Sequence, residues 1–183
     1  GLERLAGGGP PKDQPVTQDL LAAANFADAP RERDWQLGIS EPSVVLALNT
    51  DRVLRQVGDA ATQPIGETRW ADSVPALFLA RTVQGFANAG YFNVLRSAAA
   101  TDAQYGLAID VRKFWIVDGA TPEAVADFTA RIVDSVGAVV AARRFLEQVP
   151  VEGEGDEAAV SALRLAYGQG ARKLIVWVTE TLP

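Results

Sequence analysis

Apolar positions alternate with polar ones in several short stretches, which is the pattern of β-strands that bury one face. In "WQLGI", Trp35, Leu37 and Ile39 alternate with Gln36 and Gly38. Apolar runs on both sides of the turn signal "NTD" predict two short extended pieces that flank this turn. Short strands are also predicted for "GETRWA" and "YFNVLRS".

Three longer extended runs follow one another in the second half of the chain: "AQYGLAIDVRKFWIV", "PEAVADFTARIVD" and "AVVAARRFLEQV". The first run places Leu107, Ile109, Val111 and Lys113 on one face. The second alternates a row of alanines and Phe128 with polar residues. Because consecutive strands joined by tight turns pair antiparallel, the three runs predict an antiparallel block.

A helix is predicted after Trp70, within "ADSVPALFLARTVQGFANAG". Ser73 or Asp72 can cap its first amides, and Pro75 suits the first turn, where no intrahelical donor is lost. Gly90 provides a stop, because glycine adopts the left-handed conformation at low cost. The apolar stripe at helical spacing consists of Ala76, Leu79, Val83, Phe86 and Ala87.

A second long helix is predicted over residues 157–178, close to the end of the chain. Gly170 lowers its helix propensity by about 1 kcal/mol, which is tolerable if the helix approaches a sheet closely there. The elements together predict a single α/β domain, with a mixed, mainly antiparallel sheet and two main helices packed on it. The stripe of the second helix consists of Val160, Leu163, Tyr167, Gly170, Ala171, Leu174 and Val178.

The first part of the chain is predicted to differ from the rest. Residues 1–33 contain Gly and Pro clusters and few periodic apolar positions, so we expect a flexible leader, with the domain over residues 34–183. Within the leader, "DLLAAANFADA" is compatible with a short helix. The chain contains no Met, which predicts that its original start has been removed.

Composition narrows the functional classes. The chain has 183 residues, with 17 basic and 23 acidic side chains and a net charge of −6. A net anion lacks the electrostatic attraction that dominates nucleic-acid affinity, so no nucleic-acid partner is expected. The absence of Cys excludes disulfides and thiol chemistry, and the absence of His removes the commonest general base and a preferred zinc ligand. No cofactor or metal is expected.

The segment "GEGDEA" matches a dinucleotide-binding pattern, but its context opposes that interpretation. Its carboxylates would repel a pyrophosphate at the helix end that should attract it, and the helix that follows is close to the end of the chain. We therefore expect an acidic loop with carboxylates at a helix N-terminus. A pair of carboxylates that performs hydrolysis stays open, because Asp and Glu are plentiful and no pair stands out.

The turn "LNTDR" and the start of the first helix are the candidates for a ligand or partner surface. Asp51 could bond its own backbone while Arg52 pairs locally, or Thr50, Asp51 and Arg52 could be polar features of a binding surface. Trp70 precedes the helix and Phe78 lies off its main stripe, so both are candidates for an exposed aromatic patch. They are otherwise ordinary core residues.

Several segments, taken in order, resemble the ABC-type transport auxiliary lipoproteins. The matching segments span about residues 33–182: "WQLGISEPS", "LNTDRVLRQ", "TRWADSVPALFLARTVQGFANAGYF", "YGLAIDVRKF", "ARRFLEQVPV" and "LRLAYGQGARKLIVWV". The most specific parts are "LNTDR" and "RWADSVP". The resemblance implies a three-layer α/β fold similar to an anticodon-binding domain, with helices on both faces of a mixed sheet.

The resemblance also implies a function. It indicates a periplasmic lipoprotein anchored to the outer membrane through an N-terminal acylated Cys, which this chain does not contain. The implied partners are an MCE-domain protein and the ABC permease and ATPase of an intermembrane lipid transport system. It implies no catalytic residues, and self-association and phospholipid binding are left open.

Three functions therefore stay in view. The first is a non-enzymatic adaptor between the outer membrane and the MCE protein. The second is a carrier that holds lipid or another small molecule in an apolar pocket, which would need several hundred Å³. The third is a hydrolase with two converging carboxylates, one of which would have a raised pKa.

Overall fold

A computed structural model describes residues 17–26, 33–59 and 61–183, which form one mixed sheet and two main helices. The helices are α1 (Val74–Asn88) and α2 (Asp156–Thr181). The strands are β1 (Thr17–Gln18), β2 (Leu37–Ile39), β3 (Ser43–Val44), β4 (Arg52–Val57), β5 (Ala61–Trp70), β6 (Val94–Arg96), β7 (Tyr105–Val117), β8 (Glu123–Asp134) and β9 (Val139–Pro150).

The long strand β7 organises the sheet. On one side it pairs antiparallel with β8, which pairs antiparallel with β9. On the other side, β2, β3 and β4 each pair parallel with successive parts of β7. β5 pairs antiparallel with β4, while β1 and β6 extend the sheet in parallel from β5 and β2. The predicted α/β class, the mixed sheet and the antiparallel block are confirmed.

Both main helices lie on the same face of the sheet. The ring of Phe128 on β8 lies 6.0 Å from the ring of Phe78 on α1, and it also packs against Gly170 of α2. The described elements thus form two layers, and the expected placement of helices on both faces is wrong. The opposite face of β7–β9 carries Lys113, Asp127 and other charged side chains, which favour contact with water over a helix.

Of the predicted stripe of helix α1, only Phe86 is buried. Ala76, Leu79 and Val83 are only partly buried. The helix is apolar on more than one face, so periodicity alone does not fix which face packs inward, and the larger rings Phe78 and Phe86 turn towards the sheet. The buried residues are Val74, Pro75, Leu77, Phe78, Thr82, Gly85 and Phe86. By contrast, every residue of the predicted α2 stripe is buried, which confirms that prediction.

A β-bulge in β7 changes the direction of one predicted side chain. The pairing with β8 shifts register between Val111 and Lys113. Alternation therefore restarts at Phe114, which is buried in the core, and Lys113 lies on the charged face with Asp127. The sequence placed Lys113 on the core face, and that placement is wrong because the extra residue interrupts the period of two.

Residues 17–26, which we name the strap, pack across the two helices. Leu20 and Ala23 are buried in the core, and the strap contains no helix, so the helix expected in this segment is absent from its described part. Arg81 of α1 binds the carboxylate of Asp19 at 2.8 and 2.9 Å, and Arg164 of α2 donates to the Asp19 carbonyl at 2.7 Å. The packed domain thus includes residues of the expected leader, whose first 16 residues lie outside the described part of the chain.

Neither main helix could cross a bilayer, and no other helix of the described ranges is long and apolar enough to do so.

Candidate functional site

Backbone hydrogen bonds join the turn "LNTDR" to the start of α1. The amide of Trp70 donates to the carbonyl of Asp51 at 2.6 Å, and the amide of Val74 donates to the carbonyl of Thr50 at 2.9 Å. The turn and the helix start, which the sequence nominated separately, are therefore neighbours in space. Ser73 accepts a hydrogen bond from the amide of Ala76, which confirms the predicted cap.

The polar side chains of the turn pair with β5. Asp51 accepts from Arg69 at 2.8 Å, Thr50 accepts from the amide of Arg52 at 3.1 Å, and Arg52 donates to the carbonyl of Gly66. The Asp51 and Arg69 side chains keep 41% and 37% of their exposure, so the pair lies at the surface. The Asp51 side chain thus bonds to β5, which differs from the self-bonded turn that the sequence left open.

Trp70 and Phe78 are not exposed. The Trp70 ring stacks on Phe114 at 5.6 Å, and Phe78 makes edge contacts with Phe114 at 5.2 Å and with Tyr167 at 4.8 Å. Their exposed fractions are 2% and 1%. The expectation of an aromatic patch at these two residues is therefore wrong, because both rings fill the space between the sheet and the helices.

The exposed apolar surface near the turn belongs to Val45 and Leu46, which immediately precede it. Leu46 retains 89% of its exposure and Val45 retains 40%. Both lie at a short 3₁₀ turn whose last residue, Leu48, is fully buried. The sequence did not predict this exposed surface, because the uninterrupted apolar run "SVVLALN" is typical of a buried strand.

A groove lies between β9 and α2, on the helix-covered side of the sheet. It has a volume of about 440 Å³, and it opens to solvent beside the strand. We name it the β9–α2 groove. It is lined by Arg143 of β9 and by Gln169, Arg172, Lys173, Val176, Trp177 and Glu180 of α2. Three cationic side chains and one carboxylate therefore face this groove in a chain whose net charge is −6.

The charged face of the sheet contains an ion pair between Asp127 and Arg144. The guanidinium donates through Nε and Nη2 to the two carboxylate oxygens at 2.9 and 2.8 Å. The hydrogen bond from Arg144 holds the pKa of the Asp127 carboxyl below its usual value, and the same bond raises the pKa of Arg144. A general acid would need a carboxyl with a raised pKa, and this shift has the opposite sign.

The acidic turn before α2 has the predicted form. Gly153 and Gly155 adopt left-handed backbone conformations, and Asp156 and Glu157 lie in the first turn of the helix. Asp156 accepts a hydrogen bond from the hydroxyl of Thr68 at 3.0 Å, so it links the helix start to β5. Within the described ranges, no group of three or more Asp and Glu side chains could hold a metal ion.

The described residues define a class of protein: a two-layer α/β domain whose surface carries the turn at Val45–Arg52 and the β9–α2 groove. A family model for the ABC-type transport auxiliary lipoprotein component matches residues 20–174. The chain therefore belongs to this family, as the sequence resemblance indicated. It is also 36% identical over 179 residues to an uncharacterised protein of Bradyrhizobium diazoefficiens. That match covers 97% of this chain and 48% of the relative, so the chain spans about half the relative's length.

Solved structures share the architecture. The crystal structure of a Xanthomonas campestris protein has a TM-score of 0.78 and 25% identity, covering 91% of this chain and 93% of that one. The crystal structure of an uncharacterized protein has a TM-score of 0.70, 12% identity and coverages of 91% and 99%. A hypothetical protein of Chlamydia trachomatis has a TM-score of 0.50 and 11% identity, and the coverages are 79% and 96%. The last two similarities concern the fold alone.

Proposed function

We propose that this protein is a non-enzymatic accessory component of an ABC-type intermembrane lipid transport system. In this proposal it is a periplasmic lipoprotein held at the outer membrane, and it acts as an adaptor for the MCE-domain protein that works with the permease and ATPase. The observation that carries the proposal is the family match over residues 20–174. Self-association into a homo-oligomer is compatible with this role.

The packing between the helices and the sheet favours an adaptor over a lipid carrier. Phe78 and Tyr167 meet edge to face, and Phe78 also contacts the rings of Phe114 and Phe128 beneath it. These four rings are buried, so they occupy the volume between the two layers that an enclosed lipid chain would need. The hydrolase alternative finds no support in the lowered pKa of Asp127.

The part of the surface that we propose for the partner is the turn formed by Val45–Arg52 together with the start of α1. Thr50, Asp51 and Arg52 provide polar groups there, and Leu46 provides an exposed apolar side chain. Trp70 is linked to the turn through its backbone amide, and the rings of Trp70 and Phe78 are buried in the core. A surface that combines an exposed apolar centre with polar neighbours is typical of protein interfaces.

Capture of the MCE-domain protein of the same organism by the tagged chain tests the proposal. We expect capture by the wild-type protein and loss of capture by Leu46→Ser, without unfolding. Phe92→Ser is the matched control, because Phe92 is also exposed and lies beside β6, at the far end of the sheet. Failure of the wild-type protein to capture the partner would reject the adaptor role. Equal capture by both variants would reject the surface assignment.

A further inference from the structure

Strand β9 has an open edge. Within the described ranges it pairs only with β8, over all but one of its residues. An antiparallel edge strand directs the N–H and C=O groups of alternate residues away from its neighbour, so β9 offers a row of unpaired backbone groups. Edge strands are usually protected by charges, prolines, β-bulges or covering elements.

The start of β9 lacks charges and prolines, and its one irregularity is a β-bulge that leaves Val140 out of the pairing with β8. Residues 138–142 read "AVVAA", with no charge and no proline, and Val139 and Val140 retain 58% and 48% of their exposure. Arg143 and Arg144 follow directly and point to opposite faces of the sheet, because side chains alternate along a strand. The open edge is therefore apolar at first, and it is followed by Arg143 on the groove face and by Arg144, which is paired with Asp127, on the other face.

The β9–α2 groove runs beside this edge. Its helix side is formed by side chains of α2 spaced three, one, three, one and three residues apart, which is one continuous face of the helix. Trp177 and Val176 give this face apolar area, and Arg143 projects from the strand into the groove. The ring of Trp177 is fixed by an edge contact with Phe145 at 5.7 Å. The groove is thus a preformed slot between an edge strand and a helix.

We propose that β9 and the β9–α2 groove bind an extended, acidic polypeptide segment of a partner protein by strand addition. The segment would pair its backbone with the free edge of β9 and place alternate side chains in the groove, against Trp177 and the cations. Its acidic side chains would all lie on the groove face, beside Arg143, because Arg144 on the other face is already paired with Asp127. This inference rests on the geometry of β9 and α2, and it does not require an MCE-domain partner.

A polypeptide fits this site better than a lipid. Two of the three cations in the groove are already engaged: Lys173 pairs with Glu147 at 2.6 Å, and Arg172 donates to the carbonyl of Ala24 at 2.8 Å. A phosphate head group would have to displace these partners, whereas the backbone edge needs N–H and C=O groups that an acyl chain lacks. The open backbone of β9 is therefore the feature that selects the ligand.

A second copy of the same strand fits less well. Antiparallel pairing of two β9 strands centred on Arg143 would place Arg143 of both copies side by side, and like charges on neighbouring strands are destabilising. An acidic segment places the opposite charge at the same positions. Charge complementarity therefore favours a partner whose extended segment carries Asp or Glu among apolar residues.

The test uses a labelled ten-residue peptide of alternating glutamate and valine, with anisotropy as the readout. We expect saturable binding that shifts the amide resonances of residues 138–146. Two N-methylated versions of the peptide serve as a matched pair, one methylated at the odd-numbered residues and the other at the even-numbered residues. Both are tested against the unchanged protein. One places its methyl groups towards β9 and should lose binding, and the other should keep it. Equal binding by both would overturn the proposal.

Protein variants and competitors complete the test. Arg143→Glu should weaken peptide binding about tenfold or more, while Arg131→Glu, an exposed residue on the charged face of β8, should leave it unchanged. Replacing glutamate with lysine in the peptide should abolish binding. Phosphatidylglycerol vesicles that displace the peptide would assign the groove to lipid and overturn the proposal. Concentration-dependent protection of the β9 amides in the free protein would assign the edge to a second copy, with the same consequence.

Discussion

The ring of Phe128 lies directly against the backbone of Gly170. A Cβ atom placed at position 170 would come within 2.8 Å of Cε1 of Phe128, closer than side chains tolerate. Phe128 belongs to β8 and Gly170 to α2, so this contact sets how closely the helix approaches the sheet. The glycine that weakens the helix intrinsically is required by the packing.

Gly170→Ala should therefore destabilise the protein. The overpacked methyl group costs about 1–3 kcal/mol, and the gain in helix propensity offsets about 1 kcal/mol of that. Gly168→Ala is the matched control in the same helix, because a Cβ there meets open space. That variant should gain up to about 1 kcal/mol. Urea unfolding monitored by circular dichroism measures both, and an equal response of the two variants would contradict the packing argument.

The stability lost on removal of Arg144 should depend on pH in a defined direction. The folded-state pKa of Asp127 lies below the ordinary value of 3.8, so its stabilising contribution is complete above that value and is lost as the pH falls through the folded-state pKa. Arg144→Gln should be less stable than wild type at neutral pH, and the difference should shrink below about pH 3.8. Urea unfolding of both proteins at a series of pH values from neutral to below 3.8 measures this difference. Arg131→Gln should show no such convergence, and a pH-independent deficit for Arg144→Gln would contradict the assignment.

The hydroxyl groups of Tyr167 and Thr82 should be energetically coupled. They lie 2.9 Å apart and are buried between the two helices, and burial raises the pKa of Tyr167 far above its usual range. Tyr167→Phe leaves the Thr82 hydroxyl without its partner and should cost about 1–2 kcal/mol. Thr82→Val should lower the free energy of unfolding much less in the Tyr167→Phe background than in the wild-type protein. Strictly additive single and double variants in a double-mutant cycle would show that the contact contributes nothing.

Trp70→Ala should behave as a core mutation. Trp70 is 2% exposed and stacks on Phe114, so its truncation should cost about 3–5 kcal/mol. Leu46→Ser, at an 89% exposed position, should change stability by no more than about 0.5 kcal/mol. Thermal unfolding distinguishes the two. Loss of partner capture by Trp70→Ala alone would therefore report unfolding, and similar stability of both variants would contradict the burial of Trp70.

Strand periodicity predicted most of the sheet, because alternation directly reflects which face is buried. Phe128 and its alanine neighbours on β8 occupy the core face as expected. The same argument fails at Lys113, because a bulge inserts one residue into the pairing of β7 with β8. The local sequence contains no pattern that predicts this bulge. The alternation of apolar and polar residues thus predicts which face each side chain occupies only between such irregularities.

The helix faces and the site were harder to predict, for a different physical reason. In α1 the apolar residues surround much of the helix, so tertiary packing determines which of them are buried. Phe78 is buried in the core, whereas Leu79 is only partly buried. Trp70 was a candidate for exposure and is buried, whereas Leu46 lies in an apolar run and is exposed. Hydropathy alone does not show which apolar side chains pack against others. The pairing of Asp51 with Arg69 depends on the β4–β5 register, which includes a shift beside Arg52.

The strap has a consequence for the order in which the protein can mature. Gln18 and Ala24 are among the first described residues that a ribosome would produce, yet they bind Arg164 and Arg172, which lie 146 and 148 positions later. Leu20 is buried in the segment that these bonds hold against α2, so its burial requires α2 to be in place. Until α2 has formed, the seam between the two helices stays open and the strap stays undocked, so docking of the strap is a late step in folding.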